Sequence, residues 1–157
     1  MTLSYDIKVE GFEELGKKLE PDELLGDALK HVLGQAALMV EREAKIGTPV
    51  DTGRLWASWV SIVDASPVPL WAKVHTDVPY TLFVEEDTRP HFPPPHALEG
   101  WAHRHGIPTF AICIAIARHG TKGKHMLAKA VEKTQEKLGS ILKEAENMIK
   151  ERFNKEI

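Results

Sequence analysis

Four of the eight histidines, His91, His96, His103 and His105, fall within fifteen residues of one another, and the first chemistry such a cluster suggests is a zinc centre. That centre needs three or four ligands converging at about 2.0 to 2.3 Å, commonly with two histidines at i and i+4 on one helix. His103 and His105 are two apart, which on a helix turns them about 200° from each other. They cannot share one ion from a regular helix. No HExxH, paired CxxC or calcium-loop spacing accompanies them, so no metal site is expected. The histidines read as residues of a polar loop and helix face. A small histidine-dependent metalloprotein or hydrolase stays as the alternative.

Other reactive groups are as sparse. Neither GxSxG nor SxxK occurs, and no glycine-rich phosphate loop follows a predicted strand. Glu85, Glu86 and Asp87 could supply a general acid and base, but three adjacent acids more often form a solvated edge, and that is the expectation here. GTKGK at 120–124 sets two glycines and two lysines before a helix, where an anion could bind. It lacks the Walker spacing, and a glycine turn between two helices explains it equally well. Cys113 lies in the apolar run FAICIAIA with no second cysteine to pair with, as a buried thiol in a reducing compartment would. No catalytic residue, cofactor or metal is expected, and the chain is read as a non-enzyme.

The elements that position these residues form one domain. A chain of 157 residues removes roughly two thirds of its unfolded surface from water. Its 43% hydrophobic and 27% charged residues exclude a disordered or fibrous class. A formal charge of -3 argues against binding to phosphate backbones and disfavours a DNA-binding module. No stretch has the pattern of a signal peptide and no apolar run approaches the roughly 20 residues that span a bilayer. A cytoplasmic protein without membrane partners is expected.

Residues 3–10, LSYDIKVE, alternate apolar and polar as a half-buried strand does. GFEELGKKLE suggests a short helical turn that stops near Pro21. Residues 22–46 repeat apolar positions at three and four, an amphipathic helix ended by Gly47 and Pro49. RLWASWVSIVDA reads as a strand with Leu55, Ala57 and Trp59 on one face and Trp56, Ser58 and Val60 on the other. SPVP at 66–69 is a turn and LWAKVHTD a second, antiparallel strand. DTRPHFPPP at 87–95 must be an extended loop. HALEGWAHRHG and TFAICIAIARHG read as helices ending at Gly106 and Gly120, a strand reading of the second staying open, and residues 95–120 form a helical insertion. A final helix over 124–153 would run roughly 42 Å, longer than the radius of gyration of about 15 Å expected for such a domain. It either packs into the core or offers part of its stripe to another chain. The fold class expected is α+β: a small antiparallel or mixed sheet, a long helix before it, and a long C-terminal helix packed on one side.

Two segments, TPVDTGRLWASW at 48–59 and VPYTLFVEEDTRPH at 78–91, then join into one pattern. With the long helix before the first and PPPHALEGWAHRHGI after the second, they resemble the tailed-bacteriophage neck and tail-completion proteins, a family also found in prophages, over residues 20–135. Pro49, Asp51, Thr52, Gly53, Arg54 and Leu55 match a TPVDTG-like turn leading into a strand. Tyr80, Val84, Glu85, Thr88 and Arg89 match a VEfGT-like motif, with Asp87 standing where glycine is usual. Pro49 presets φ, Asp51 and Thr52 can accept nearby backbone N–H groups, and Gly53 permits a positive φ. Asp87 tolerates a left-handed turn, and Tyr80 and Phe83 would lie as apolar area beneath it.

The resemblance implies a structural virion protein of head-tail joining or tail completion, with no catalysis, in the bacterial host cytoplasm during assembly. Its partners would be copies of itself in a ring and other phage head or tail proteins, with no sequence-specific nucleic acid. A ring needs a heterologous interface, for which two elements are candidates: Arg89, Pro90, His91, Phe92, Pro93, Pro94 and Pro95 of the loop, and Ile141, Met148 and Phe153 of the last helix.

Overall fold

A computed structural model describes residues 3–7, 23–64 and 71–153. The helical turn expected over 11–20, the stop at Pro21, residues 8–10 of the first strand and the turn at 66–69 lie outside the described residues. Three strands, β1 (Leu3–Ile7), β2 (Val60–Asp64) and β3 (Trp71–Thr76), form an antiparallel sheet in the order β1-β3-β2. Before β2 come a long helix α1 (Glu23–Gly47) and a single turn α2 (Arg54–Ala57). After β3 follow α3 (Thr81–Glu85), α4 (Pro95–Arg104), α5 (Thr109–His119) and the 28-residue α6 (Met126–Phe153). The architecture is α+β.

Periodicity explains the two long helices. Ala28, Val32, Ala36, Val40 and Ala44 recur every four residues of α1 and are all buried. Met126, Leu127, Ala130, Ile141 and Ala145 bury the matching stripe of α6. The helices run antiparallel: Gly47 approaches Met126, Lys133 Nζ donates to Glu43 Oε2 at 3.0 Å, and His31 lies 4.0 Å from Glu144. Lys133 thus reaches across from α6 to α1.

Of the two readings left open for α6, this pairing bears out packing into the core as far as Ala145. At 25 residues α1 is nearly as long, so the two helices cover each other along their length, and Ile141 packs with Val32 and Ala145 in the chain's own core. Met148 stays half exposed, and the side chain of Phe153 lies outside the described residues. The other face of α1 lies on β2 and β3, where Leu33, Ala37, Val40 and Ala44 meet Trp59, Ala72 and Val74.

The strand expected over 54–65 begins only at Val60. Gly53 takes φ 81°, the chain turns into α2, and Ala57 N donates to Gly53 O at 2.9 Å. Ser58 closes the turn through its N–H and its hydroxyl, both donated to Leu55 O. One helical turn puts Leu55 and Trp59, four apart, into the same core while Trp56 and Ala57 stay outside. A strand would have buried Ala57 with them. The β-propensity of tryptophan yields here to the core's need for two large side chains at that spacing.

Candidate functional site

The first motif is a joint between helix and sheet. Thr48 Oγ1 donates to Ala44 O at 2.7 Å, capping the last turn of α1, and accepts the indole Nε1–H of buried Trp59 at 2.9 Å. Helix end and strand start are therefore tied through one hydroxyl. Thr52 Oγ1 accepts Arg54 N at 3.4 Å, a weak local bond. A second tie comes from Glu41, whose Oε2 accepts Ser61 N at 2.9 Å and Ser61 Oγ at 2.5 Å, while Lys45 Nζ donates to Oε1 at 2.7 Å. Burial pushes this carboxyl up, but the hydrogen bonds from Lys45 and Ser61 outweigh it and the net shift is downward.

Asp51 does not cap its own turn, as expected from the sequence, but reaches fifty-three residues along the chain. Arg104 Nε lies 3.0 Å from both of its carboxylate oxygens, Arg104 Nη2 donates to Oδ2, and His105 Nε2 stands 3.3 Å from Oδ1. Trp101 stacks on the His105 ring at 4.2 Å. Hydrogen bonds from Arg104, helped by the charges of Arg104 and His105, hold the Asp51 carboxyl below its ordinary value against the opposing effect of burial. The same bonds raise the Arg104 guanidinium. This pair latches the end of α4 to the motif turn.

A depressed carboxyl contributes stability above its unfolded pKa of 3.8 and loses it as pH falls through the lower folded value. Hydrogen-exchange protection in α4 should therefore fall faster than in α6 on acidification from about pH 5 to about pH 3. In Asp51→Asn, α4 should already be less protected at neutral pH, with that extra acid sensitivity gone. Parallel loss in both helices of the parent protein would refute the latch.

The second motif fastens the start of α6. Glu85, expected on a solvated edge, is only 5% exposed. Its Oε2 accepts Met126 N at 2.7 Å and its Oε1 accepts Leu127 N at 3.0 Å and Ala128 N at 3.2 Å. These are the unpaired N–H groups of a helix N-terminus, where a carboxylate is also favoured by the helix dipole. The anion that the GTKGK hand-over could bind is thus the chain's own Glu85. Backbone bonds run beside it: Lys124 N to Val84 O, His125 N to Glu85 O and Thr88 N to Thr121 O. Thr88 Oγ1 meets Thr121 Oγ1 at 2.8 Å and accepts Thr121 N at 3.0 Å. Asp87, at the position where the resembling family has glycine, is not in the left-handed region, and its Oδ1 accepts Gly123 N at 2.7 Å. Glu86 is exposed.

Tyr80 and Phe83 do not lie beneath this turn. Both are on the outside, Phe83 with 59% exposure, because α3 is one short turn whose inward positions go to Thr81 and Glu85. Two of the proposed loop residues also separate from the rest: Pro93 is buried, and Pro95 opens α4 rather than ending the loop. Arg89, Pro90, His91, Phe92 and Pro94 are exposed.

Between Thr88 and Thr121 the chain forms an arm. α4 and α5 pack on each other more extensively than on any other element, and Phe92 meets Phe110 edge to face at 5.9 Å. The second apolar run is helical, which closes the strand alternative. Cys113 is buried within it. His103 is exposed and His105 is held by Asp51, so the cluster's two closest histidines serve different surroundings. Among the described residues no three His, Cys, Asp or Glu side chains group as metal ligands would, and no helix is long and apolar enough to cross a membrane. Comparison with protein-family models, with curated proteins and with solved structures finds no match to this chain.

Proposed function

We propose that this chain is a non-enzymatic structural subunit of a tailed-bacteriophage particle, acting in head-tail joining or tail completion through ring-like assembly of its own copies. The reading rests first on the two motifs that resemble that family. The observation that carries it further is how the chain uses its reactive side chains: Glu85 caps a helix, Asp51 holds an arm and Thr48 ties a helix end to Trp59. These are the uses of a scaffold. Phe83, Phe92, Phe110 and Trp56 meanwhile stand exposed, with Phe92 and Phe110 in contact as a small apolar patch that a neighbouring subunit could cover.

Partners on this reading are copies of the same chain and neighbouring head or tail proteins, met in the host cytoplasm before incorporation into the virion. Sedimentation velocity over a concentration series, followed by negative-stain imaging of the largest species, tests the assembly step. Closed rings are the expected result. Failure of the protein to self-associate at any concentration counts against the proposal, as does its absence from purified particles of a phage that encodes it.

A further inference from the structure

The arm is joined to the rest of the molecule at its two ends, and differently at each. At its base the entering and leaving chain segments meet in a single antiparallel bridge, Thr88 with Thr121, backed by the contact of their hydroxyls. Gly120 lies against Thr88 there at φ 70° and ψ -161°, a backbone conformation that glycine holds without strain. At its tip the end of α4 folds back on the first motif, where Asp51 holds both Arg104 and His105. Among the described residues, Asp51 makes every hydrogen bond and ion pair that passes between 89–120 and the rest of the chain. Neither core cluster of the described residues includes a residue of that stretch.

The arm is meanwhile well tied to itself. α4 and α5 pack chiefly on each other, and the edge-to-face contact of Phe92 with Phe110 fastens the entering loop to α5. The turn between the helices closes through Gly106 N to His103 O at 3.2 Å and Ile107 N to Ala102 O at 3.0 Å. Phe92, Trp101, Ile107 and Phe110 are exposed, so the arm's large apolar side chains are not spent on docking it to the body.

A unit bonded within itself and joined to its neighbour by a small interface moves against that neighbour unless something pins it. Here the pin is ionic. Arg104 offers Asp51 two parallel donors, a geometry that fixes direction as well as distance. The Arg104 side chain is 44% exposed, so salt screens the pair: the Debye length falls from about 10 Å at 0.1 M to about 3 Å at 1 M.

We propose that the α4–α5 arm is a latched strap: a preformed helical hairpin that pivots at Gly120 and the Thr88–Thr121 bridge, and that Asp51 keeps in one orientation by gripping Arg104 and His105 at its tip. Breaking that one grip frees the whole arm, the flanking residues of the base absorbing the change as hinges do. The two motifs are then the two ends of one device, the first supplying the catch and the second the pivot. The strap goes beyond the ring-forming reading and does not depend on it. Its helices persist when it opens, although the amides of α4 exchange faster once the tip is untied.

Double electron-electron resonance between nitroxides at Glu99→Cys on α4 and Glu132→Cys on α6, both exposed positions, reads the arm's orientation. Cys113→Ala removes the native thiol, and dilution with unlabelled protein removes distances between copies. At low salt the parent should give one narrow distance distribution. Asp51→Asn takes the charge from the catch, and Arg104→Glu sets two carboxylates against each other; each should widen the distribution at least about two-fold with helical circular dichroism unchanged. Salt at about 1 M should widen it in the parent with neither of these substitutions. A parent distribution already broad at low salt overturns the proposal. So does one that stays narrow in both variants and in high salt, because packing around Ala102 and Cys113 would then hold the arm. Widening that comes with lost helicity overturns it as well, since the arm then unfolds rather than swings.

Discussion

Glu85→Ala is expected to cost about 3 kcal/mol of folding stability, more than loss of an ordinary helix cap, which costs about 1 kcal/mol. Three circumstances raise the figure. The carboxylate is buried and accepts three separate backbone N–H groups, so its removal strands donors that water reaches poorly. It carries a full charge at the positive end of a 28-residue helix, where up to about 2 kcal/mol is available in a partly buried site. No side chain from the start of α6 can replace it, because His125, whose carbonyl accepts the first helical bond from Lys129, takes φ 52° and lacks the side-chain oxygen of a good cap. For a protein of this size the loss corresponds to a fall in melting temperature of about 10 °C by differential scanning calorimetry. Glu85→Gln, which keeps one acceptor oxygen but turns an amide N–H toward the donors, should lose about half as much. Because Lys124 and His125 remain tied to Val84 and Glu85 by backbone bonds, the damage should start at the first turns of α6. A change below about 0.5 kcal/mol in Glu85→Ala would mean that water or neighbouring groups satisfy those N–H groups unaided.

That role was hidden in the sequence for a physical reason. Helices α1 and α6 could be read because their apolar stripes repeat at a period set by local geometry, and the register of β3 follows from alternation in the same way. Glu85 acts on residues more than forty positions away, and no local pattern records such a contact. A trace was nevertheless present: KGKHM offers no Ser, Thr, Asp or Asn at the start of a long helix, so the cap had to come from elsewhere. Asp51 misled in the opposite direction. Its type and its turn both suggest a local cap, yet Arg104 offers two parallel donors where the backbone offers one. The helices between Thr88 and Thr121 were legible, and alternation within the strand expected over 54–65 correctly set Val60 opposite Trp59; what it missed is the helical turn over 54–57, because the pull of Leu55 and Trp59 into one core depends on packing that no local pattern records.

The second large effect is expected at Gly120, and its interest lies in the comparison with Gly106. Both are left-handed, with φ 70° and φ 64°, so alanine at either must bear a backbone cost of about 1 to 2 kcal/mol. At Gly106 nothing lies within 4 Å of the added methyl, and the cost should end there. At Gly120 the Cβ would sit 2.0 Å from Thr88 O, with Thr88 C at 3.0 Å and Arg89 C at 3.1 Å, and these are backbone atoms that cannot swing aside. Its ψ of -161° also falls in a region that only glycine populates freely. Gly120→Ala should therefore cost at least about 3 kcal/mol, in the range of disrupted backbone packing, against roughly 1 kcal/mol for Gly106→Ala. The methyl would push apart the strands of chain joined at Thr88 and Thr121, which form the base of the arm. Loss of exchange protection at the Thr88 and Thr121 amides, together with weakened self-association, should then accompany the fall in stability. Equal costs at the two glycines would show that the close approach at Thr88 is not what fixes the arm.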